Sequence, residues 1–278
     1  MNKVKASFIA LVCLLSVGVA NGQVKKEERK VESFSKISVS NAIDVEYTQD
    51  KKISVTVEAD ESIIGLLSTE VKNGTLYVKM KEELRNNSGR NKKRKVYLSA
   101  PLLDKVQISG ASDFYAAKME MDTDFQLNAS GASDTKISHL SARSVNINIS
   151  GASDFDGKEI TLKDKINLNA SGASDTKIDN LEASNSAAIT ISGGSDCIIK
   201  KIKTKNGELS ASGGSDATLN FVDSGKVSAN ATGGSDVVLS GKVDGVNLAC
   251  SGASDANIKN LSYNTIEINT SKGSDVKK

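Results

Sequence analysis

The sequence predicts an all-β fold: a single-stranded, right-handed parallel β-helix of about nine to ten rungs, with a β-rich cap at its N-terminal end. Three observations support this prediction. A five-residue motif returns about every twenty residues, apolar and polar residues alternate strictly before it, and aromatic residues make up only 4% of the 278 residues, with no Trp. A core that must be filled by Ile, Leu, Val and Ala suits thin, layered β architectures.

The first 22 residues have the features of a secretory signal. Lys3 and Lys5 give a positive start, an apolar run covers 8–19, and Ala20 and Gly22 supply small residues at the end. We therefore expect cleavage after Gly22 and export to the periplasm or the cell surface. The apolar run is too short to span a bilayer, and the sequence has no later run long enough for a transmembrane helix.

Cleavage would remove two of the 36 lysines and arginines, leaving 34 basic side chains against 34 acidic ones. This balance argues against a nucleic-acid-binding protein, which needs a clear positive excess. The pattern further divides the chain into a signal peptide, a flexible charged lead-in, a cap that contains a degenerate rung, and a run of repeats. The predicted boundaries of these four segments are 1–22, 23–32, 33–105 and 106–278.

The repeat is marked by a five-residue signature, which occurs nine times as SGASD, SGGSD, TGGSD or SKGSD. Alternating apolar residues such as Val145, Ile147 and Ile149 precede it, as expected of a half-buried strand. A coil stacks every position on its own equivalent about 4.8 Å away, which favours the same residue type in every rung. Serine precedes each signature aspartate, and the aspartates lie 19 to 21 residues apart. They are Asp113, Asp134, Asp154, Asp175, Asp196, Asp216, Asp236, Asp255 and Asp275.

Large and small residues change places from one rung to the next, which predicts how neighbouring layers pack. One residue after the aspartate, Phe114 is followed by a threonine, then by Phe155 and another threonine. The two cysteines of the repeats, Cys197 and Cys250, fall at different inward positions nearly three rungs apart. That separation is roughly 10–14 Å along the axis, beyond disulfide reach, so we expect buried free thiols.

Residues 24–105 are less regular. Residues 37–45 resemble a worn copy of the rung, with SNAID in place of SGASD, and 53–57 and 76–80 alternate like strands. The turn pair Asn73-Gly74 precedes the second of these strands, and Glu61 to Glu70 is expected to form a short helix. We interpret this region as a cap over the end of the coil, which would otherwise expose a sheet edge.

The ordered motifs ISVS at 37–40, ISVTV at 53–57, NGTLYV at 73–78 and VYL at 96–98 before Pro101 resemble the "putative auto-transporter adhesin, head GIN domain" family, a former domain of unknown function common in Bacteroidota. The resemblance covers nearly the whole mature chain. It implies a secreted β-helical protein with an adhesive role, and it carries over no catalytic residue. No membrane β-barrel follows in this sequence, so the adhesive role rests on analogy.

The aspartate series is the sharpest candidate site. Carboxylates about 4.8 Å apart repel one another, and bound calcium is one way to offset that repulsion. The competing interpretation, which we favour, is that each aspartate accepts hydrogen bonds from turn amides and serine hydroxyls and so fixes the corner. Calcium-binding coils carry denser aspartate spacing than one per rung. The sequence therefore predicts no cofactor and no established metal site, with calcium as the alternative.

Other polar features are expected to be structural. An outward asparagine series should bond from rung to rung, with a polar face for carbohydrate as the alternative; aromatic platforms for sugars are few. The basic segment from Arg85 to Lys95 is expected to be a solvated loop, or else a site for an anionic surface. His139 has no partner for catalysis and is expected at the surface. The asparagines are Asn128, Asn148, Asn169, Asn230 and Asn269.

These observations favour an exported cell-envelope protein, adhesive or structural, that contacts a glycan or a protein through its stacked faces. The alternatives are a periplasmic scaffold or sensor partner in envelope stress, and an enzyme acting on polysaccharide. Enzymes on β-helices build clefts from long loops between rungs. The uniform rung length here leaves no material for such walls, so the sequence predicts no catalytic residue and no enzyme.

Overall fold

The structure is a computed structural model that describes residues 23–81, 92–271 and 273–278. The predicted signal peptide, with its cleavage after Gly22, and residues 85–91 of the basic segment lie outside the described residues. The predicted all-β solenoid is confirmed, with about nine turns of parallel strands. No helix in the described ranges is long and apolar enough to cross a membrane.

Strands account for nearly all regular structure in these ranges, and the exception is a single 3₁₀ turn at Ile64–Leu66. In chain order the strands are β1 Val24–Glu28, β2 Lys36–Val39, β3 Asp44–Gln49, β4 Ser54–Asp60, β5 Leu67–Lys72, β6 Thr75–Met80, β7 Arg94–Ala100, β8 Lys105–Ile108, β9 Phe114–Glu120, β10 Phe125–Ala129, β11 Asp134–Ala142, β12 Val145–Gly151, β13 Asp154–Leu162, β14 Lys165–Gly172, β15 Asp175–Gly193, β16 Asp196–Gly213, β17 Asp216–Ala231, β18 Asp236–Cys250, β19 Asp255–Asn257, β20 Leu261–Thr270 and β21 Asp275–Lys277.

Each turn of the coil consists of a strand that leads into the signature, the signature at a corner, and a strand that follows it. The following strands β9, β11 and β13 pair in parallel, and so do the leading strands β8, β10, β12 and β14. Signature aspartates stack directly on one another, as in the pairs Asp134–Asp154 and Asp196–Asp216. The repeat therefore sets the register, because equal residues recur at equal positions of the coil.

The core lies inside the coil and follows the predicted alternation of large and small residues. Thr135 is stacked between Phe114 and Phe155, and Ile137 lies between Ala116 and Gly157. A Cβ built on Gly157 would lie 3.2 Å from the Phe155 ring, so the glycine leaves room for that ring. Around Phe114, Phe155 and Ile137 the layers fit because a large side chain meets small ones in the neighbouring rungs. Further along the coil large residues stack on one another, as in the column of Ile178, Ile199 and Leu219.

The N-terminal cap is β-rich, as predicted, and it inverts the order of the first turns. The worn rung, β2 and β3, is the turn that stacks on β8 and β9. The later strands β6 and β7 pair with the outer side of β2 and β3. Antiparallel strands then close this end, with β5 on β6, β4 on β7 and β1 on β4.

Two local expectations were wrong. The segment 23–32, predicted to be a flexible lead-in, contains strand β1, in which Val24 pairs with Asp60 and Glu28 with Thr56. The side chains of β1 are nearly all exposed, because this edge strand is held by backbone hydrogen bonds. Its sequence therefore lacks the alternation of apolar and polar residues that would have predicted a strand. The helix expected over 61–70 is only a 3₁₀ turn, because residues from Leu67 onward pair with β6 across the Asn73-Gly74 turn.

Candidate functional site

The signature corner is closed by its serines, which point inward and are fully buried in every rung from Ser112 to Ser254. The Ser235 hydroxyl donates to the carbonyl oxygen of Thr232 at 3.0 Å and lies 3.2 Å from that of Ala211 in the previous rung. The hydroxyl of Ser153 accepts from the backbone N–H of Ser133 at 3.1 Å. Serines such as Ser235 and Ser254 therefore tie their own corner together and also link it to a neighbouring rung.

The signature aspartates point outward, and their hydrogen bonding differs from the prediction. The Asp113 carboxylate accepts the backbone N–H of Asp134 at 3.0 Å, and Asp154 accepts that of Asp175 at 3.1 Å. The serine hydroxyls donate to backbone carbonyl oxygens instead of to these carboxylates. The predicted corner-capping role thus divides in two: serine fixes the turn from within, and aspartate bridges to the next rung from outside.

Burial and the charges of neighbouring aspartates raise the pKa of two of the signature aspartates. Burial, followed by the charges of Asp113 and Asp154, raises the pKa of Asp134 above its usual value. Burial and the neighbouring Asp175 and Asp216 likewise raise the pKa of Asp196. Across the described parts of the chain, no three or more His, Cys, Asp or Glu side chains cluster in a way that could hold a metal ion. Calcium binding by this series stays a prediction.

A surface groove of about 490 Å³ runs beside the aspartate corner near the N-terminal end; we call it the tyrosine–aspartate groove. Its floor includes the strand starts at Val45, Phe114 and Thr135. Its charged lining contains six carboxylates and two amines, so the groove is formally negative by four charges. These groups are Asp44, Glu46, Asp113, Asp134, Asp154, Asp156, Lys95 and Lys136.

Tyr115 is the aromatic member of this groove that faces solvent, with 41% of its surface exposed. It lies at the second position after Asp113, where side chains point outward, between Glu46 on one side and Lys136 on the other. Tyr97 follows on the far side of Glu46. The sequence alone gave no sign of this aromatic pair, because β3 is inserted between two strands that follow it in the chain.

The two amines of the groove are already paired with carboxylates. The Lys95 amine lies 2.7 Å from the Glu46 carboxylate, and the Lys136 amine lies 3.4 Å from that of Asp156. Burial and the charge of Asp113 raise the pKa of Asp44, while Lys95 acts in the opposite direction. The unpaired remainder is therefore carboxylate, which can accept hydrogen bonds from a ligand.

A second groove, of about 580 Å³, crosses the leading strands over Ala187 and Gly207. Its lining holds small and amide side chains, two valines and the charged residues Lys165, Lys226 and Glu208, and it has no aromatic residue. It offers hydrogen bonds without a flat apolar surface. The tyrosine–aspartate groove is the better-equipped of the two for binding an organic ligand.

Part of the asparagine series forms the predicted rung-to-rung bonds: Asn148 donates to Asn128 at 2.9 Å, and Asn169 donates to Asn148 at 3.0 Å. Asn269 instead lies 3.4 Å from Glu267. His139 is exposed beside Glu159, at 3.2 Å, as expected of a surface residue.

The described end of the basic segment, 92–95, is not a free cationic patch. Lys93 forms an ion pair with the buried Glu58, and Lys92 lies 3.6 Å from Asp60. The hydrogen bond from Lys93, opposed by burial, lowers the pKa of Glu58 to about 2. These lysines hold the cap strands together.

Both cysteines of the repeats are buried free thiols, as predicted. Cys197 stacks on Ala217, and Cys250 stacks on Ala231, so they belong to different columns of the coil. Burial, with a smaller effect of the Asp196 charge, raises the pKa of the Cys197 thiol to about 12. Burial also raises that of Cys250. Both therefore act as small apolar fillers.

Comparison with known proteins supports the same architecture. A crystal structure of a putative adhesin from Parabacteroides distasonis ATCC 8503 is similar with a TM-score of 0.65 and 19% identity, covering 92% of this chain and 98% of the other. A putative adhesin from Parabacteroides merdae ATCC 43184 is similar with a TM-score of 0.59 and 17% identity, covering 93% and 98%. At these identities the likeness shows the fold. The search of curated proteins finds no match.

The family described as "Putative auto-transporter adhesin, head GIN domain" matches residues 33–199 and 185–277. Together the two matches cover the worn rung, the cap and the whole run of signatures. The resemblance seen in the motifs at 37–101 is thereby confirmed. This chain belongs to the family described as "Putative auto-transporter adhesin, head GIN domain".

Proposed function

We propose that this protein is an exported, non-catalytic adhesive protein of the cell envelope that binds carbohydrate in the tyrosine–aspartate groove. The observation that carries the proposal is the exposed ring of Tyr115 set against a row of carboxylates. The family's description as adhesins supports the adhesive part.

The groove combines the two kinds of contact that sugars need. A tyrosine ring offers a rigid apolar surface with a polar tip, on which the apolar face of a sugar ring can pack. Carboxylates accept hydrogen bonds from hydroxyl groups, and charged acceptors make the stronger bonds. The pKa values of Asp44 and Asp134 are raised, chiefly by burial. A hydrogen-bond donor on the ligand would therefore stabilise these two carboxylates the most.

The charge of the groove also selects among sugars. A formal charge of minus four repels uronic-acid or sulfated polymers and favours neutral sugars or amino sugars. An ammonium group on the ligand would be attracted to the carboxylates and to the face of Tyr115 together. We therefore expect amino sugars to bind most tightly.

A binding role fits this coil better than catalysis does. The signature aspartates are in register from β15 to β19, and the groove crosses the outward face of strands β3, β9, β11 and β13. General acid–base chemistry on a polysaccharide needs groups held on opposite sides of a bond within a walled cleft. In the tyrosine–aspartate groove the carboxylates lie in two neighbouring columns of one outward face, with Glu46 and Asp156 two residues beyond the signature column, so all of them would approach a bound polymer from the same side.

The test is calorimetric titration of the mature chain, residues 23–278, with three probes: a glucosamine hexamer, its N-acetylated counterpart, and alginate. We expect binding in that order, with none to alginate. Tyr115→Ala should weaken binding about fivefold, since an aromatic contact contributes on the order of 1 kcal/mol. Ile198→Ala is the matched control, because Ile198 is 45% exposed and lies at the same offset from its own signature aspartate.

Two outcomes would contradict the proposal. Equal binding by the Tyr115 variant and the wild-type protein would show that the groove is not the site. Release of shortened sugars during the titration would show an enzyme.

Export is tested separately: fractionation and surface proteolysis of intact cells should place the chain in the periplasm or on the outer surface, and retention in the cytoplasm would contradict an envelope role.

A further inference from the structure

Two grooves on the leading strands join end to end. The groove that crosses Gly207 shares Lys165 and Asn167 with another groove of about 580 Å³, whose far end is Lys36 on β2. Many of the lining residues belong to one outward column, which passes through nine consecutive strands from Lys36 to Asn247. At about 4.8 Å per strand, the two grooves form one depression roughly 40 Å long, which we call the amide trough.

The amide side chains of the trough have unused hydrogen-bonding groups. Gln126, Asn146, Asn167 and Asn247 lie in the lining column, and their side-chain amides form no hydrogen bond with the described residues. In the next column of the same strands, by contrast, successive asparagines bond to one another. An amide both donates and accepts hydrogen bonds, so the four free amides can contact hydroxyl groups of a ligand in either direction.

The trough has little net charge. Its lining contains four amines and three carboxylates, a formal charge of plus one. Lys36 and Lys105 stack on each other beside Asp104. Lys105, Lys165 and Lys226 then follow one another at intervals of three strands, which is roughly 14 Å. That interval exceeds the screening length of about 8 Å at physiological ionic strength, so these amines do not act together on a polyanion.

We propose that the amide trough is a second ligand site, which binds one chain of a linear neutral polysaccharide laid along the axis of the coil. Sugar hydroxyls both donate and accept hydrogen bonds, as the trough amides do. Balanced charge gives an anionic or a cationic polymer no advantage over a neutral one. The trough lies on the leading strands and the tyrosine–aspartate groove on the following strands, so this inference does not depend on the first site.

The trough should bind long chains and not short ones. Phe125, the aromatic residue of its lining, is 1% exposed, so a single sugar ring finds no apolar surface on which to pack. Affinity must therefore accumulate from hydrogen bonds along many rungs. The entropic cost of association is met once for each chain, and a longer chain offsets it with more contacts.

The test is biolayer interferometry on immobilised polymers with the mature chain, residues 23–278, carrying Tyr115→Ala so that the tyrosine–aspartate groove contributes little. The polymers are two linear neutral ones, mixed-linkage β-glucan and glucomannan, and the anionic carboxymethylcellulose. We expect both neutral polymers to bind with an affinity that added salt leaves unchanged, and carboxymethylcellulose not to bind. A β-linked glucose hexamer should compete at least about tenfold more weakly than soluble β-glucan, compared per chain.

Ala188→Arg should weaken polymer binding at least about tenfold, because Ala188 lies in the trough at an outward position and a long side chain there divides it. Ala117→Arg is the matched control, since Ala117 is an exposed alanine on the following strand β9, and it should leave binding unchanged. Changing Asn146 and Asn167 together to alanine should also weaken binding. Asn180→Ala, which removes an exposed amide from a following segment of β15, is its control.

Failure of both neutral polymers to bind, tighter binding of carboxymethylcellulose, or equal affinities for hexamer and polymer would overturn the inference. An Ala188 variant that binds as well as its control would overturn it too. Failure of the glucosamine titrations would leave it intact, because those measurements depend on Tyr115.

Discussion

Where the signature reads SGASD, SGGSD or TGGSD, its second residue is expected to tolerate glycine alone, whereas its third is expected to tolerate alanine; the last signature, SKGSD, carries Lys272 at the second position. Gly193 has φ +82°, and a Cβ built on it would lie 2.5 Å from the carbonyl oxygen of Gly172 in the rung below. Gly194, the next residue, would place its Cβ 3.9 Å from that same oxygen, an ordinary contact. Other rungs carry alanine at this third position, as in SGASD.

The cost of Gly193→Ala can be worked from these distances. A left-handed backbone costs an alanine about 1–2 kcal/mol relative to glycine. Relief of the contact requires the Gly172 oxygen to move by about 0.5 Å to reach the 3.0 Å that real Cβ atoms keep. That oxygen accepts the N–H of Gly194 at 2.7 Å, and weakening this bond costs about 1 kcal/mol. We expect a total destabilisation of about 2–3 kcal/mol.

Gly194→Ala is the matched control, since both substitutions add one methyl group to the same corner. It is expected to be neutral or stabilising by about 0.4–1 kcal/mol, because alanine restricts the unfolded chain. The assay is urea unfolding of the mature chain followed by circular dichroism, with midpoints compared because a solenoid need not unfold in two states. Equal midpoints for the two variants would refute this account of the glycine column.

Three further predictions concern buried and stacked polar groups. The buried hydroxyls of Thr135 and Thr176 have no hydrogen-bond partner among the described residues. Changing both to valine should therefore increase the free energy of unfolding by about 1 kcal/mol in total and raise the urea midpoint; a lower midpoint would contradict this. The pKa of Asp134 is raised in the folded chain, so the ionised carboxylate lowers the free energy of unfolding at neutral pH. Asp134→Asn should therefore stabilise the fold by a few tenths of a kcal/mol at pH 7. In urea melts below pH 3.8, where the carboxyl group is protonated in both states, this gain should be absent. Cys197 and Cys250 are buried with raised pKa values, so iodoacetamide should label neither in the native chain at pH 8 and both in denaturant, and rapid native labelling would show an open core.

At the signature corner the sequence predicted the stacking of residues but not their hydrogen bonds. The identical spacing of serine and aspartate predicted a stacked corner, and the in-register pairs confirm it. The sequence could not assign the hydrogen bonds, because Ser133 and Asp134 are adjacent and alternation alone does not say which one points inward when a turn interrupts the strand. The structure buries the serine and exposes the aspartate.

The tyrosine–aspartate groove could not be predicted from the sequence, for a different reason. Tyr115 and Tyr97 are 18 residues apart and belong to no common repeat, so spacing gave no reason to associate them. They lie on either side of Glu46 only because β3 is inserted between β7 and β9. That inserted order is a property of chain topology, which local patterns do not encode.

The sequence by itself determined the coil, its register, the large–small layering of the first rungs and the free state of Cys197 and Cys250, because each depends on contacts between equivalent positions of a repeat. Only the tertiary structure decided how the N-terminal end is closed and where an aromatic surface meets the aspartates. Those features depend on strands such as β1 and β3, whose partners are distant in sequence and whose pairing uses backbone groups common to all residues.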